Sequence, residues 1–340
     1  MMDKFFCADA AKCAQEDIIG TASNYQTYVL IECCLPWESE AFTSREVPQN
    51  LRNLVEEVNL SHQNIRFLLI NSDKHKCANK RKVLIYDNKH EELFGGYEKH
   101  EFNADSIDKV AEIVKSYLAG EVPDCETENK QTRDILVCTH GSHDMCCARY
   151  GNPFYAQANA LVSELELDDV RIWRSSHFGG HRMAPTAIDL TDGRYYGNLD
   201  RTSLQSIITR TGDIECLHKV YRGWGILPNP MQVLERKLMA LYGWDWFNYK
   251  VAGQIIASDI KNDAFLAEIT FEKADGTYTY RADLVKDETK TVRLKGSCGA
   301  KKESEFVKYS VENFHFYSKK EELMFVSYPS VSIAKLVETV

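Results

Sequence analysis

The chain has 340 residues, 44% of them apolar, with 15 Phe and 17 Tyr, so it can bury cores for two or three domains and is not a disordered chain. Its net charge of -9, without a long basic run, argues against a broad nucleic-acid surface, and no apolar run approaches the ~18 residues of a membrane helix. The N-terminus, MMDKFFCADAAKCAQED, lacks the apolar core of a secretory signal, which predicts a cytoplasmic protein whose 11 cysteines are not a disulfide set.

The first half alternates strands and helices. TYVLIECC (27–34) reads as an apolar strand. REVPQNLRNLVEEVNL (45–60) reads as a helix, with Leu51, Leu54, Val55 and Val58 at helical spacing. NIRFLLINS (64–72), KVLIYD (82–87) and EELFGGYE (91–98) follow as strands. NADSIDKVAEIVKSYLAG (103–120) is a helix stopped by Gly120, and the polar segment 121–133 reads as a linker.

The second half repeats the order. DILVC (134–138) is a buried strand, NPFYAQANALVSELEL (152–167) a helix with Pro153 in its first turn, and DVRIWRSS (169–176) a strand. TAIDL (186–190) and RYYGNL (194–199) form a hairpin, and 200–212 a helix between Asp200 and Gly212. The string predicts an α/β fold of two thioredoxin-like units, 1–122 and 131–228. Beyond them, 229–340 reads as one helix (230–249) and a small antiparallel sheet packed by Trp244, Trp246 and Tyr249.

One region carries chemistry. The strand 134–138 runs into Cys138-Thr-His-Gly-Ser-His-Asp-Met-Cys146-Cys147, and the strand 169–176 runs into His177-Phe-Gly-Gly-His181. In a β-α-β unit both loops leave the same rim, so two thiols and two imidazoles meet there. These donors suit zinc, iron or copper. A lone histidine at a strand end is usually solvated, and adjacent cysteines are usually buried fillers; the grouping on one rim is what favours a metal. His177 and His181 fit the His-x₃₋₅-His half of a zinc pattern, whereas Cys138 and Cys147 are too far apart for its Cys half. Cys138-Thr-His140 and Cys216-Leu-His218 each look like half of a Rieske pattern, but no Cys-x-x-His completes it.

The segments VCTHGSHDMCCARYG and HFGGHRMAPTAIDLTDGRYYGNL resemble the sucrase/ferredoxin-like family, which includes the Apd1 and Aim32 proteins, and more distantly the thioredoxin-like ferredoxins. The match is dense over about 130–225 and looser over 1–120. The resemblance implies a [2Fe–2S] cluster held by Cys138, Cys147, His177 and His181, with Cys147 rather than Cys146 as the second thiolate. Cys146 is then a filler or an alternative ligand. His143 stands where the family usually has Arg. The family's "sucrase" label has no sugar-cleaving carboxylate pair to support it here.

Two imidazoles in place of thiolates predict a potential above that of all-Cys plant-type clusters, falling as pH rises through the ionisation of a ring N–H. Asp144 and His140 are expected to hydrogen-bond within the loop, and Arg182 to tune charge or meet a partner. Cys33-Cys34 and His75-Lys-Cys77 echo the site in the first half, without a cluster. The leading expectation is an electron carrier serving a redox partner protein, rather than a catalyst of a defined substrate reaction. The alternatives are a binding module stabilised by Zn through the same ligands, and a cysteine-dependent redox enzyme or hydrolase with Cys146 or Cys147 as nucleophile. No flavin or nicotinamide fingerprint is visible.

Overall fold

The apolar segment TYVLIE becomes strand β1 (Thr27–Glu32), and all six of its residues are buried. A strand covered on both faces belongs inside a sheet. The computed structural model describes residues 4–73, 80–88, 92–121, 123–127, 132–259 and 261–320. Around β1 the first half supplies α1 (Cys7–Cys13), α2 (Gln49–Leu60), β2 (Ile65–Asn71), β3 (Arg81–Asp87), β4 (Glu98–Ala104) and α3 (Val110–Leu118). The second half supplies β5 (Arg133–Cys138), α4 (Met145–Glu164), β6 (Val170–Ser175), β7 (Ala187–Asp189), β8 (Arg194–Tyr196), α5 (Arg201–Thr209) and β9 (Tyr221–Trp224).

These strands form one mixed sheet in the order β4-β3-β1-β2-β6-β5-β7-β8-β9. In the first half β1 runs parallel to β2 and antiparallel to β3, which pairs antiparallel with β4. In the second half β5 runs parallel to β6 and antiparallel to β7, which pairs antiparallel with β8. The two halves therefore repeat one strand pattern. They join where the carboxyl ends of β2 and β6 pair antiparallel, Ile70 with Ser175 and Asn71 with Arg174. That pairing brings the loops following β1 and β2 up to the loops following β5 and β6.

Alternation along β1 divides the core. Val29 and Ile31 pack with Leu51, Leu54 and Val114 of α2 and α3. Tyr28 and Leu30 join a larger core that runs through Leu136 and Trp173 to Trp224 and Trp246. A buried ionic seam crosses the halves. Asp134 accepts hydrogen bonds from Arg171 Nε (2.7 Å), Trp173 Nε1 (2.6 Å) and the Tyr86 hydroxyl, and pairs with Lys99 Nζ at 3.0 Å.

The C-terminal region contains α6 (Met231–Tyr242), then β10 (Val251–Asp259), β11 (Ala264–Lys273), β12 (Gly276–Lys286), β13 (Val292–Leu294), β14 (Ser304–Phe306) and β15 (Tyr309–Lys320). β10-β11-β12-β15 form one antiparallel sheet and β13-β14 a two-stranded ribbon. Trp246 is buried, and Trp244 and Tyr249 pack against the same core, as expected of core residues. Arg194, fully buried, pairs with Glu235 of α6 at 2.7 Å and ties this region to β8.

Several boundaries differ from expectation. The helix expected from 152 begins at Met145, because Asp144 caps it through Cys146 N at 2.9 Å; Pro153 lies inside it rather than in its first turn. The strand expected at 91–98 is displaced to β4. Gly95 and Gly96 interrupt it, leaving Phe94 in a single bridge to Val251, while residue 91 lies outside the described residues. Ending β4 at Ala104 delays α3 to Val110, after a 3-10 turn at Ile107–Lys109. Asp200 caps α5 as expected, but Arg210 in left-handed geometry ends it before Gly212. The helix expected over 230–249 closes at Tyr242 and gives way to a 3-10 turn, Gly243–Asn248. Strands β9 and β10 and helix α1 were not expected. Among the described residues no helix is long and apolar enough to cross a membrane.

Candidate metal centre

The carboxyl end of β5 sets the first donor. Cys138 is its last residue, buried at 2% exposure. The chain turns through Thr139–His143 and enters α4, which crosses directly over the strand end. Gly151 permits this crossing: a Cβ there would lie 2.0 Å from the Cys138 carbonyl oxygen. The first turn of α4 then holds Cys147 against Cys138. Cys146, one residue earlier and about 100° around the helix, faces elsewhere.

The carboxyl end of β6 sets the imidazoles. His177 Nδ1 lies 3.7 Å from Cys138 Sγ and 3.6 Å from Cys147 Sγ. Gly179 and Gly180 follow with φ of 96° and 85°, a left-handed pair that folds the chain back so that His181 stacks on His177. Their ring centroids are 4.9 Å apart. At Gly180 a Cβ would meet the Arg222 guanidinium at 2.6 Å, so the turn has no room for a side chain.

The four expected donors fall into two overlapping groups. Cys138, Cys147 and His177 have ligand atoms all within 4.8 Å of one another, and so do His143, His177 and His181. His177 belongs to both. His181 Nε2 lies 2.6 Å from the Gly296 carbonyl oxygen, to which it donates. That bond fixes the tautomer and leaves Nδ1 as an unprotonated acceptor. Nδ1 is buried and has no hydrogen-bond partner. A ring whose far N–H is held by a backbone carbonyl and whose near nitrogen is free is the usual arrangement of a metal-binding histidine.

The protonation states agree. Burial pushes His177 down to about 2, helped by the neighbouring imidazoles of His143 and His181. Burial also lowers His181 and His140. The imidazoles are therefore neutral at pH 7, as ligation requires. Burial pushes the Cys138 thiol up, but the hydrogen bond from Cys147 and the backbone N–H groups of His140 and Phe178 outweigh it, so its pKa lies below normal. Cys147 is raised by that same hydrogen bond and by burial.

The first half backs the site with carbonyls rather than donors. His140 Nε2 donates to Glu38 O at 2.7 Å, and its Nδ1 accepts from the His177 backbone N–H at 3.2 Å. His143 Nδ1 lies 3.2 Å from Ser39 O, and Ser142 Oγ donates to Trp37 O at 2.6 Å. His143, exposed, stacks on His177 with centroids 4.1 Å apart. A cleft of about 340 Å³ lined by Ser39, Glu40, Phe42, Arg66, His143 and His177 opens beside the rings.

Other expected residues find separate places. Arg182 forms a two-pronged ion pair with Glu16, at 2.8 and 2.9 Å, so its charge is neutralised within the chain. Cys216 is exposed and joins no donor group among the described residues. Cys34 is disulfide-bonded, while Cys33 beside it is free. His75 and Cys77 lie outside the described residues. Cys146 meets Cys7 of α1 and Cys298 of the β13–β14 loop, with Asp144 alongside. Sequence reasoning did not connect Cys7, Gly296 or Cys298 to this region; no spacing relates them to residues 138–181.

A model of the sucrase/ferredoxin-like family matches residues 18–223, well over half of the 340 residues. The chain belongs to the sucrase/ferredoxin-like family. Searches of curated proteins and of solved structures find no match. The family match takes in β1 through most of β9, hence both halves of the large sheet and all four expected donors. It leaves out Cys7 before it, and α6, Gly296 and Cys298 after it.

Proposed function

We propose that this sucrase/ferredoxin-like protein is an electron carrier, built on two thioredoxin-like units, in which Cys138, Cys147, His177 and His181 hold a [2Fe–2S] cluster. The observation that carries the reading is the buried, unpartnered Nδ1 of His181 beside a second group containing both thiols and His177. A single tetrahedral ion needs its donors gathered around one point. Donors spread over two groups that share His177 suit a longer, binuclear centre. Such a cluster supplies a one-electron couple, with its potential raised by the two imidazoles.

The chain's own residues do the rest. Backbone N–H groups of His140 and Phe178 donate to the Cys138 sulfur and disperse its negative charge. Gly296 orients His181, and His140 holds the backbone of His177. The cleft at His143 is the side from which a redox partner protein would exchange the electron.

A single zinc bound by Cys138, Cys147 and His177 with one further donor is the second reading, since the ligand atoms of those three lie within 4.8 Å of one another. A cysteine nucleophile is disfavoured: Cys146 and Cys147 are both at most 1% exposed. The test is the visible spectrum of anaerobically purified protein, with iron and sulfide counted on the same sample. The carrier predicts a red-brown protein with about two irons and two sulfides per chain. A colourless protein that refuses cluster reconstitution and carries zinc removed by Cys147→Ser would replace it with the zinc reading.

A further inference from the structure

Beside the main site lies a second set of thiols, drawn from three remote parts of the chain. Cys7 belongs to α1, Cys146 to the first turn of α4, and Cys298 to the loop between β13 and β14. Their sulfurs form a closed triangle: Cys7–Cys146 3.5 Å, Cys146–Cys298 3.3 Å and Cys298–Cys7 3.7 Å. Asp144 Oδ1 lies 4.0 Å from Cys7 Sγ, and all four ligand atoms lie within 4.8 Å of one another. Three thiolates around zinc at the usual bond length of about 2.3 Å stand about 3.8 Å apart. The triangle is slightly tighter than that and needs only small outward shifts.

Two other accounts fit less well. A disulfide joins two sulfurs and leaves the third out, whereas here each sulfur neighbours both others. Packing alone explains Cys146 and Cys7, which are buried with Ala8 and Ala184. Cys298 packs against the same cluster but is only half-buried, on a ribbon whose strands are exposed or half-buried throughout. Such a ribbon has little apolar contact to hold its loop in place. Backbone donors already face the group: Ala8 N–H to Cys146 Sγ at 3.5 Å, and Cys298 N–H to Asp144 Oδ2 at 2.9 Å. These would offset the charge of an anionic centre.

We propose that Cys7, Cys146 and Cys298, with Asp144 as fourth donor, form a structural site for a zinc-type divalent cation, separate from the redox centre. Binding exchanges the thiol protons for the cation, with release of protons to solvent. The adjacent cysteines of α4 then have different tasks: Cys147 serves the main centre and Cys146 the structural one. Cys7 and Cys298 lie outside the family-matched residues, whereas Asp144 and Cys146 lie within them. Its effect is mechanical. It ties α1 and the β13–β14 loop to the start of α4, and that loop carries the Gly296 carbonyl that orients His181.

The test is metal analysis of the full chain after dialysis against a mild chelator, on wild type, Cys7→Ser, Cys298→Ser and Cys147→Ser, with iron measured alongside zinc. One zinc per chain is expected in wild type and Cys147→Ser, and loss of it in Cys7→Ser and Cys298→Ser. Zinc retained by the latter two, or lost from Cys147→Ser while its fold persists, overturns the proposal. A second measurement needs no variant: maleimide labelling of native wild type, read by peptide mass. Cys7, Cys146 and Cys298 should be protected until a strong chelator removes zinc, and then label together. Free labelling of Cys298 in untreated protein, or a Cys146–Cys298 disulfide, contradicts it. Failure of the redox reading would show separately, as missing iron; if zinc takes the main centre instead, wild type holds two zincs and Cys147→Ser keeps the one that Cys7→Ser and Cys298→Ser lose.

Discussion

The two halves of the large sheet share a strand pattern but not a task. After β5 and β6 the chain presents thiols and imidazoles. The loop after β1 presents the carbonyls of Trp37, Glu38 and Ser39, which receive Ser142, His140 and His143 of the second half. The same topology thus supplies donors on one side of the seam and a brace on the other. Chemistry on a repeated scaffold is set by loop residues, while the strand order only decides which loops meet.

The strongest way to break this pairing is at the seam. Asp134 is fully buried and joined to Arg171 and Lys99, so Asp134→Ala should cost about 3–5 kcal/mol by removing one side of a buried ion pair and leaving Glu101 alone to face both cations. Chemical denaturation would measure it, and a cost near zero would mean that the halves do not depend on their shared ions. The same seam predicts an acid limb. Burial pushes Glu101 up, but hydrogen bonds from Arg171 and Lys82 and their charges outweigh this and hold it at about 2. Its unfolded value is about 4.3. Its contribution is therefore complete above that pH and is lost as pH falls toward 2. The melting temperature should drop through this window, and Glu101→Gln should flatten the drop.

A smaller cost with a larger functional effect is expected at Gly151. Its substitution by Ala drives α4 away from the Cys138 carbonyl, for about 1–3 kcal/mol, and separates Cys147 from Cys138. Metal content should fall in protein that remains folded, as judged by circular dichroism. His140→Ala removes the strut between Glu38 and His177 and should cost about 1–2 kcal/mol, with a shifted visible spectrum but bound metal retained. Cys216→Ser should change stability by less than about 0.5 kcal/mol and metal content not at all, because this thiol is exposed and outside all three donor groups.

The sequence made the local parts of this picture legible. Apolar β1 and β5, the Asp200 cap and the convergence of the loops after β5 and β6 all follow from short-range pattern and from the chirality and direction of β-α-β units. Pro153 misled because its missing N–H suits a first helical turn, whereas Asp144 had already capped the helix nine residues before it. Cys7 and Cys298 were illegible for another reason. Their meeting with Cys146 depends on how α1 and the β13–β14 ribbon dock, and nothing in their immediate neighbours encodes that. Gly151 likewise looks like an ordinary helix glycine until the crossing over Cys138 is known.

The central claim is that two imidazoles and two thiolates share one reducible cluster. Pulsed EPR of the reduced protein, read for ¹⁴N coupling, tests it most directly. The account predicts two strongly coupled ring nitrogens in wild type and one each in His177→Cys and His181→Cys. A reduced iron–sulfur signal without nitrogen coupling in wild type, or one left unchanged by His181→Cys, would contradict it.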